Sequence, residues 1–306
     1  MTLSCVIHTR NSAETLGKAL DSVAWADEII VVDMESTDST RAIAAQYTQR
    51  ILSTPIVPRV DGIRQQFLAE ARHDWILVLD SDEHLAADAQ INVMNLLKQY
   101  GDRYDAFAIP RFNYIAGQIM RGSGWYPAPQ IRLFRKGTVR WPDANHQLPE
   151  VITGRLLELQ PPACLHIHHR NYEDLRHFIQ KQLDYALNDR YDSDPSTFDF
   201  SSYIAKAHQN LATHQDTEHD GDLSHALATV MAWDAVMRGL IHWDSLSPKP
   251  PLAMLTALPV AAGKVPLWRI RFKQWLGRRR STRVVLHSIL YRMGWLSRLI
   301  RTTLSR

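Results

Sequence analysis

The sequence predicts an α/β fold, a mostly parallel sheet with helices on both faces, followed by a helical region and a basic amphipathic C-terminal tail. Three observations carry that prediction. The continuous apolar runs EIIVVD (28–33) and WILVLD (75–80) suit strands buried on both faces. Helical patterns separate such runs at the spacing of right-handed crossovers. Finally, no Asp or Glu follows Asp244, whereas 13 of the 35 Lys and Arg do.

Taken in order, residues 3–9 are a short apolar run with β-branched members and read as the first strand. Asn11 and Glu14 stand at capping-box spacing, so a helix is expected from there to about residue 23. Residues 28–33 form the second strand, 39–47 a helix and 50–54 a third strand. A helix over 62–71 leads into 75–80, the clearest strand of the chain. After Tyr100 the texture changes. Residues 106–115 and 130–141 are strand-like, but Gly117, Gly122, Gly124 and Gly137 interrupt the region, as in hairpins attached to the parallel half. Residues 165–169 read as one more strand. From Tyr172 a helix runs to about 189, with Leu175, Phe178, Ile179, Leu183 and Ala186 on one face. Asp, Ser and Pro make 192–199 a linker, and 200–246 reads as a helical pair. The expected organisation is a domain over 1–190, a helical extension over 191–250 and a tail over 251–306.

Composition narrows the class. The chain has 306 residues, of which 45% are hydrophobic and 22% charged, which excludes disordered, collagenous and disulfide-stapled proteins. No apolar run approaches the ~18 residues of a membrane-spanning helix. The opening MTLSCVIHTRN lacks the pattern of a signal peptide, and none is expected. Cys5 and Cys164, both in strand-like segments, read as buried small residues of a protein from a reducing cytosol.

Ligands of an open parallel sheet bind beyond the carboxyl ends of its strands. The second strand ends in DMESTDST, with Asp33, Ser36 and Asp38, and 75–80 runs into DSDE, with Asp80, Asp82 and Glu83. So many carboxylates at one sheet edge repel unless a cation or donors accompany them. A single strand-end Asp is more often a helix cap. Asp80 and Asp82 have the same strand parity, so both can address one hard cation through oxygen. The first strand is followed by HTRNSAETLGK, without the glycines of a dinucleotide or P-loop fold. A nucleotide diphosphate here needs a metal rather than a glycine nest.

These motifs, in order, resemble the family-2 glycosyltransferases of the GT-A fold, and within them the lipopolysaccharide core biosynthesis group. The resemblance covers about residues 1–190. It rests on His8-Thr9-Arg10-Asn11, VVDMESTDST, Arg64, WILVLDSDE, GWYPAPQIRLFRKG (124–137), His146, and His166–His169 ahead of a helix with Lys181 and Tyr185. It implies that Thr9, Arg10, Asn11, Glu14, Asp33, Ser36, Asp38, Arg64 and Asp80 line the site of a nucleotide-diphosphate sugar, a UDP-sugar being the commonest. Asp80, Asp82 and His146 would face Mg²⁺ or Mn²⁺. Trp125 and Tyr126 would form the acceptor wall, a packing role being equally open for them, Arg132 would face phosphate or acceptor, and inversion at the anomeric carbon is expected. Gln65 and Gln147 depart from the pattern, where relatives often show Asn and Glu. A Gln cannot take a proton as a general base, so Asp143, Glu150 and Glu83 become the candidates for that role.

Fourteen histidines include HIHH at 166–169. On a strand His166 and His168 share a face and His169 opposes them. The resemblance puts His166 or His168 near the diphosphate or metal, while a solvated or core role is equally open. Residues 1–244 carry a formal −10, and the tail is purely basic. Leu286, Ile289, Leu290, Met293, Leu296 and Ile300 fall on one helical face, with Trp268, Trp275 and Trp295 as anchors. The expectation is a cytoplasmic protein held peripherally on the anionic inner face of the cell membrane, acting on a glycan or glycolipid, with no nucleic-acid partner. An inactive relative that binds nucleotide sugar is the alternative, and Gln147 is its support.

Overall fold

A computed structural model of the chain describes residues 1–57, 60–141, 149–161 and 165–252. The expectations for Asp143, His146, Gln147, Cys164 and the basic tail lie outside the described residues. Residues Met1–Met254 make one compact unit.

The first half runs β1 (Leu3–Thr9), α1 (Leu16–Asp21), β2 (Glu28–Asp33), α2 (Thr40–Ala44), β3 (Ile51–Ser53), α3 (Asp61–Leu68), β4 (Trp75–Asp80), β5 (Glu83–Leu85) and α4 (Ala89–Tyr100). Short strands follow: β6 (Ala106–Ile109), β7 (Arg111–Ile115), β8 (Gln118–Ile119), β9 (Gln130–Arg135), β10 (Val139–Arg140), β11 (Glu150–Val151), β12 (Leu156–Glu158) and β13 (Ile167–Tyr172). The rest is helical, with α5 (Leu175–Asn188), α6 (Phe200–Thr213) and α7 (Thr217–Ser245).

The large sheet has the strand order β12-β6-β9-β4-β1-β2-β3. β1 is parallel to both β2 and β4, and β9 enters antiparallel between β4 and β6. Strand alternation sorts the buried side chains between two cores. Cys5, Ile7, Val31, Leu77 and Leu79 pack with Leu16 and Leu20 of α1 and Val93 and Leu97 of α4. Val6, Ile30, Val32, Ile76 and Val78 pack with Leu68 of α3. Helices thus cover both faces, which is why the strands read as continuous apolar runs. This is the mostly parallel α/β architecture that the apolar runs predict. A second sheet, β5-β13-β7-β8, stands beside it.

Local chemistry moves several boundaries. The helix expected from Asn11 begins at Leu16, behind an N-cap Thr15 that makes no side-chain capping bond. Asn11 adopts φ 46°, a left-handed conformation that Asn tolerates, and its Oδ1 accepts the Thr37 N–H instead. Residues 106–115 are two strands in different sheets, because Pro110 has no N–H to continue a ladder. α7 breaks at Gly221, where φ is 60° and ψ −151°. Among the described residues no helix is long and apolar enough to cross a membrane.

Candidate functional site

β1 leads through α1 to β2 on one side, while the chain returns through α3 to β4 on the other. The carboxyl ends of β1 and β4 therefore flank the point where strand order reverses, and loops there diverge to leave a crevice. Three segments line it: the loop after β1, the loop after β2 and the turn after β4. They are stitched together. Asn11 N–H donates to Ser36 Oγ (2.9 Å), Ser12 N–H to Thr40 Oγ1 (2.7 Å) and Ala13 N–H to Asp38 Oδ2 (3.2 Å). The Ser12 and Ser81 hydroxyls meet at 2.8 Å. Ser36 and Asp38 thus shape the loops, and Arg10 and Glu14 are exposed on the first of them.

Below this rim several buried polar atoms have no partner among the described residues. Asp33 is 1% exposed; its Oδ2 accepts from Arg41 Nη1 at 3.0 Å, whereas Oδ1 has no hydrogen bond. Thr9 Oγ1 and both ring nitrogens of His8 are also unpartnered. Leaving such a group unmade costs about 1–3 kcal/mol, so each of these atoms calls for a partner, a water or a ligand. Burial, and then the positive charges of Arg64 and Arg132 against the partial offset from Asp80, push His8 down to about 3, so its ring is neutral.

An ion cluster extends from these strand ends. Arg64 (2% exposed) hydrogen-bonds Asp80, and Arg132 donates to Asp80 Oδ2 (2.5 Å) and Glu83 Oε1 (3.0 Å). Arg111 also reaches Glu83 Oε1 (3.3 Å), and Glu83 Oε2 accepts the Asp80 N–H (3.0 Å). Burial alone would raise the Asp80 carboxyl, yet Arg132 and Arg64 outweigh it and hold it well below the usual range. Arg64 Nε also pairs with Asp61 Oδ1 at 3.2 Å, so three guanidiniums face three carboxylates. Arg64 Nη1, Arg111 Nε and Arg132 Nε remain buried without partners.

This cluster corrects two expectations. Glu83 is fully buried with both oxygens engaged, so no acceptor hydroxyl reaches it as a base. Arg132, expected to face phosphate or acceptor, is engaged on β9 with Asp80 and Glu83. Glu150 lies exposed on β11, paired with Arg140 at 2.6 Å.

Asp80 and Asp82 do not share a partner. The turn at 81–82 carries Asp82 to β13, where His169 Nε2 lies 3.4 Å from its Oδ2. Burial pushes the Asp82 carboxyl up, but the hydrogen bond and charge of His169 bring it below its ordinary value. His169, not His166 or His168, therefore stands at the site. The latter two occupy the other face of β13, where His166 stacks on Phe112 (ring centroids 4.4 Å apart) and His168 on His84 (5.0 Å). Burial lowers both.

Among the described residues no three His, Cys, Asp or Glu side chains converge to enclose a metal ion. Asp82 and His169 nonetheless fit one, as a carboxylate oxygen and a ring nitrogen side by side. Mg²⁺ is commonly held by one or two carboxylates with substrate phosphates completing the shell.

Trp125 packs edge-on to Tyr172 and Phe178, so its ring belongs to a small core rather than to an open wall. Tyr126 stacks flat on Phe112, 4.9 Å away, and its hydroxyl meets His166 Nε2 at 3.1 Å. The helical extension grips the loop that precedes them. Asp220 accepts from the Arg121 (2.7 Å) and Gly122 (3.1 Å) N–H groups, His214 Nδ1 meets Ser123 O at 2.5 Å, and Asp216 N–H donates to Ser123 Oγ. A Cβ on Gly122 would fall 2.1 Å from Asp216 Oδ2.

Sequence reasoning assigned no role to Arg111, Asn113 or Asp220. Strand parity separated His169 from its neighbours, but nothing in the sequence said which face of that strand meets the site.

Residues 4–150 match the family model described as glycosyl transferase family 2. A TPR repeat-containing protein of Synechococcus elongatus is 37% identical over 159 residues, 51% of this chain and 36% of that protein. The lipopolysaccharide core biosynthesis glycosyltransferase LpsC of Rhizobium meliloti is 27% identical over 52% of this chain and 63% of its own length. The chain thus spans less than two thirds of either relative. Among solved structures, S. aureus TarS 1–349 in complex with UDP-GlcNAc aligns over 74% of this chain and 70% of that one, with 18% identity and a TM-score of 0.44.

Proposed function

We propose that this chain, whose residues 4–150 match the model of glycosyl transferase family 2, is a member of that family and moves a sugar from a nucleotide-diphosphate sugar to a hydroxyl group of a cell-surface glycan or glycolipid. A UDP-sugar is the proposed donor, Mg²⁺ or Mn²⁺ the proposed cation and inversion the proposed outcome. The observation that carries this reading is the set of unpartnered polar atoms at the ends of β1 and β2, bordered by Asp82 and a buried ion cluster. The relative from Rhizobium, named for lipopolysaccharide core biosynthesis, supports the acceptor class.

In this reading Asp33 Oδ1 accepts from a base N–H or a ribose hydroxyl, while Arg41 fixes its other oxygen. Arg64 and Arg132 keep Asp80 ionised. Asp82 and His169 would hold the cation, which when bound offsets charge on the departing diphosphate. The residues supply orientation and electrostatics, and no covalent sugar intermediate is needed.

Calorimetric titration with UDP, with and without Mn²⁺, tests this. Micromolar binding that needs both Mn²⁺ and an intact Asp82, and is lost in Asp82→Ala, is expected. Absence of binding by UDP, GDP and dTDP alike would overturn it. The purely basic stretch 265–306 supports attachment to an anionic membrane surface at the cytoplasmic face. Flotation with phosphatidylglycerol vesicles, but not with phosphatidylcholine ones, is the expected result, to be abolished by truncation after residue 252.

A further inference from the structure

We propose that Asn113 is a positioning residue that fixes the His169 ring with its Nε2 turned toward Asp82 and ties that ring to the backbone of the Trp125 loop. The proposal rests on the reading above, in which Asp82 and His169 hold the cation.

Hydrogen-bond logic orients Asn113 without ambiguity. It sits on β7, wholly buried, and its carboxamide lies 2.6 Å from Trp125 O. A carbonyl only accepts, so the group facing it is the Nδ2 amide, which leaves Oδ1 toward β13. There Oδ1 meets His169 Nδ1 at 2.9 Å and Asn171 Nδ2 at 3.3 Å. Oδ1 only accepts in turn, so His169 Nδ1 carries a hydrogen. The other nitrogen, Nε2, lies 3.4 Å from Asp82 Oδ2, so it donates there when the ring is protonated and offers its lone pair to a cation when the ring is neutral. Metal-binding histidines commonly donate their second ring N–H in this way, and loss of the partner weakens metal binding about 10–100-fold.

The same side chain reaches the Gly-rich loop. Trp125 ends the segment that Asp220, Asp216 and His214 grip from the helical side. Asn113 holds its last carbonyl from the sheet side. One buried amide therefore spaces the cation pair from this loop, so that neither moves independently.

The test uses the full chain, with Asn113→Leu and Asn113→Asp. The tautomer of His169 is read by ¹⁵N NMR of histidine-labelled protein at about pH 8, assigned with His169→Gln. Wild type is expected to show the Nδ1–H form. Asn113→Leu removes the acceptor and should give a mixture with the Nε2–H form. Asn113→Asp keeps the acceptor and should retain Nδ1–H. Mn²⁺ affinity in the presence of UDP should fall about 10–100-fold in Asn113→Leu and stay within about threefold of wild type in Asn113→Asp. An Nε2–H ring in wild type would overturn the proposal, as would loss of the Nδ1–H form in Asn113→Asp or unaltered Mn²⁺ affinity in folded Asn113→Leu. A wild type with the Nδ1–H ring but no Mn²⁺–UDP binding would instead overturn the functional reading and uphold the Asn113 assignment.

Discussion

Replacing Arg132 with Met tests the ion cluster at its centre. Arg132 is 5% exposed and serves two carboxylates, Asp80 at 2.5 Å and Glu83 at 3.0 Å. Met fills similar volume but strands both acids. Removing one partner of a buried ion pair costs about 3–5 kcal/mol. Arg111 still serves Glu83 and Arg64 still serves Asp80, and the Asp80 side chain keeps 29% of its surface exposed, so the lower end of that range is expected at pH 7. The loss should depend on pH with a definite sign. Asp80 is ionised well below its ordinary range in the fold, so its pairing stabilises above the unfolded carboxylate pKa and fades as pH falls through the folded one. Arg132→Met removes the foremost charge that holds it there. The difference from wild type should therefore shrink as the solution is taken from pH 7 toward pH 4 and below. Urea unfolding, with ΔG taken from midpoint and slope, measures it. A loss under about 1 kcal/mol at pH 7, or one of equal size at both pH values, would refute the argument that desolvated charge governs this site. Adding Glu83→Gln to Arg132→Met should restore part of the loss, since the stranded charge is then gone.

Other outcomes follow from single contacts. Asp220→Ala strands the Arg121 and Gly122 N–H groups and should cost about 2 kcal/mol in urea unfolding, while UDP binding in Mn²⁺ stays as in wild type. Gly122→Ala drives a Cβ against Asp216 and should cost about 1–3 kcal/mol, a loss that Asp216→Ala in the same chain should relieve. His8 stays neutral in the fold down to about pH 3, whereas the unfolded chain protonates it near 6.5. Its presence therefore lowers stability progressively as pH falls from about 6.5 toward 3, by up to about 1.4 kcal/mol per pH unit. His8→Gln should flatten that slope when unfolding is measured at pH 4, 5, 6 and 7.

The sequence by itself determined the strands that build the core. EIIVVD and WILVLD could bury both faces only between helices, and the run at 3–9 could only join them. That placed Asp33 and Asp80 at one edge of one sheet, because chain direction is fixed once the strands are parallel. The acid-free tail was equally plain. What needed the tertiary structure was direction. Asp80 and Asp82 share parity on an ideal strand, but a turn after β4 sends one to two arginines and the other to His169. HIHH separates by parity into two faces, and only the pairing of β13 with β5 and β7 shows that His169 faces inward. Glu83 and Arg132 looked free in sequence and are spent on each other, since burial forces each charge to find its counterpart. Asn113 and Asp220 gave no local signal at all. Their partners lie 12 to 99 residues away, and such contacts exist only once two sheets and a helical pair have closed on one another.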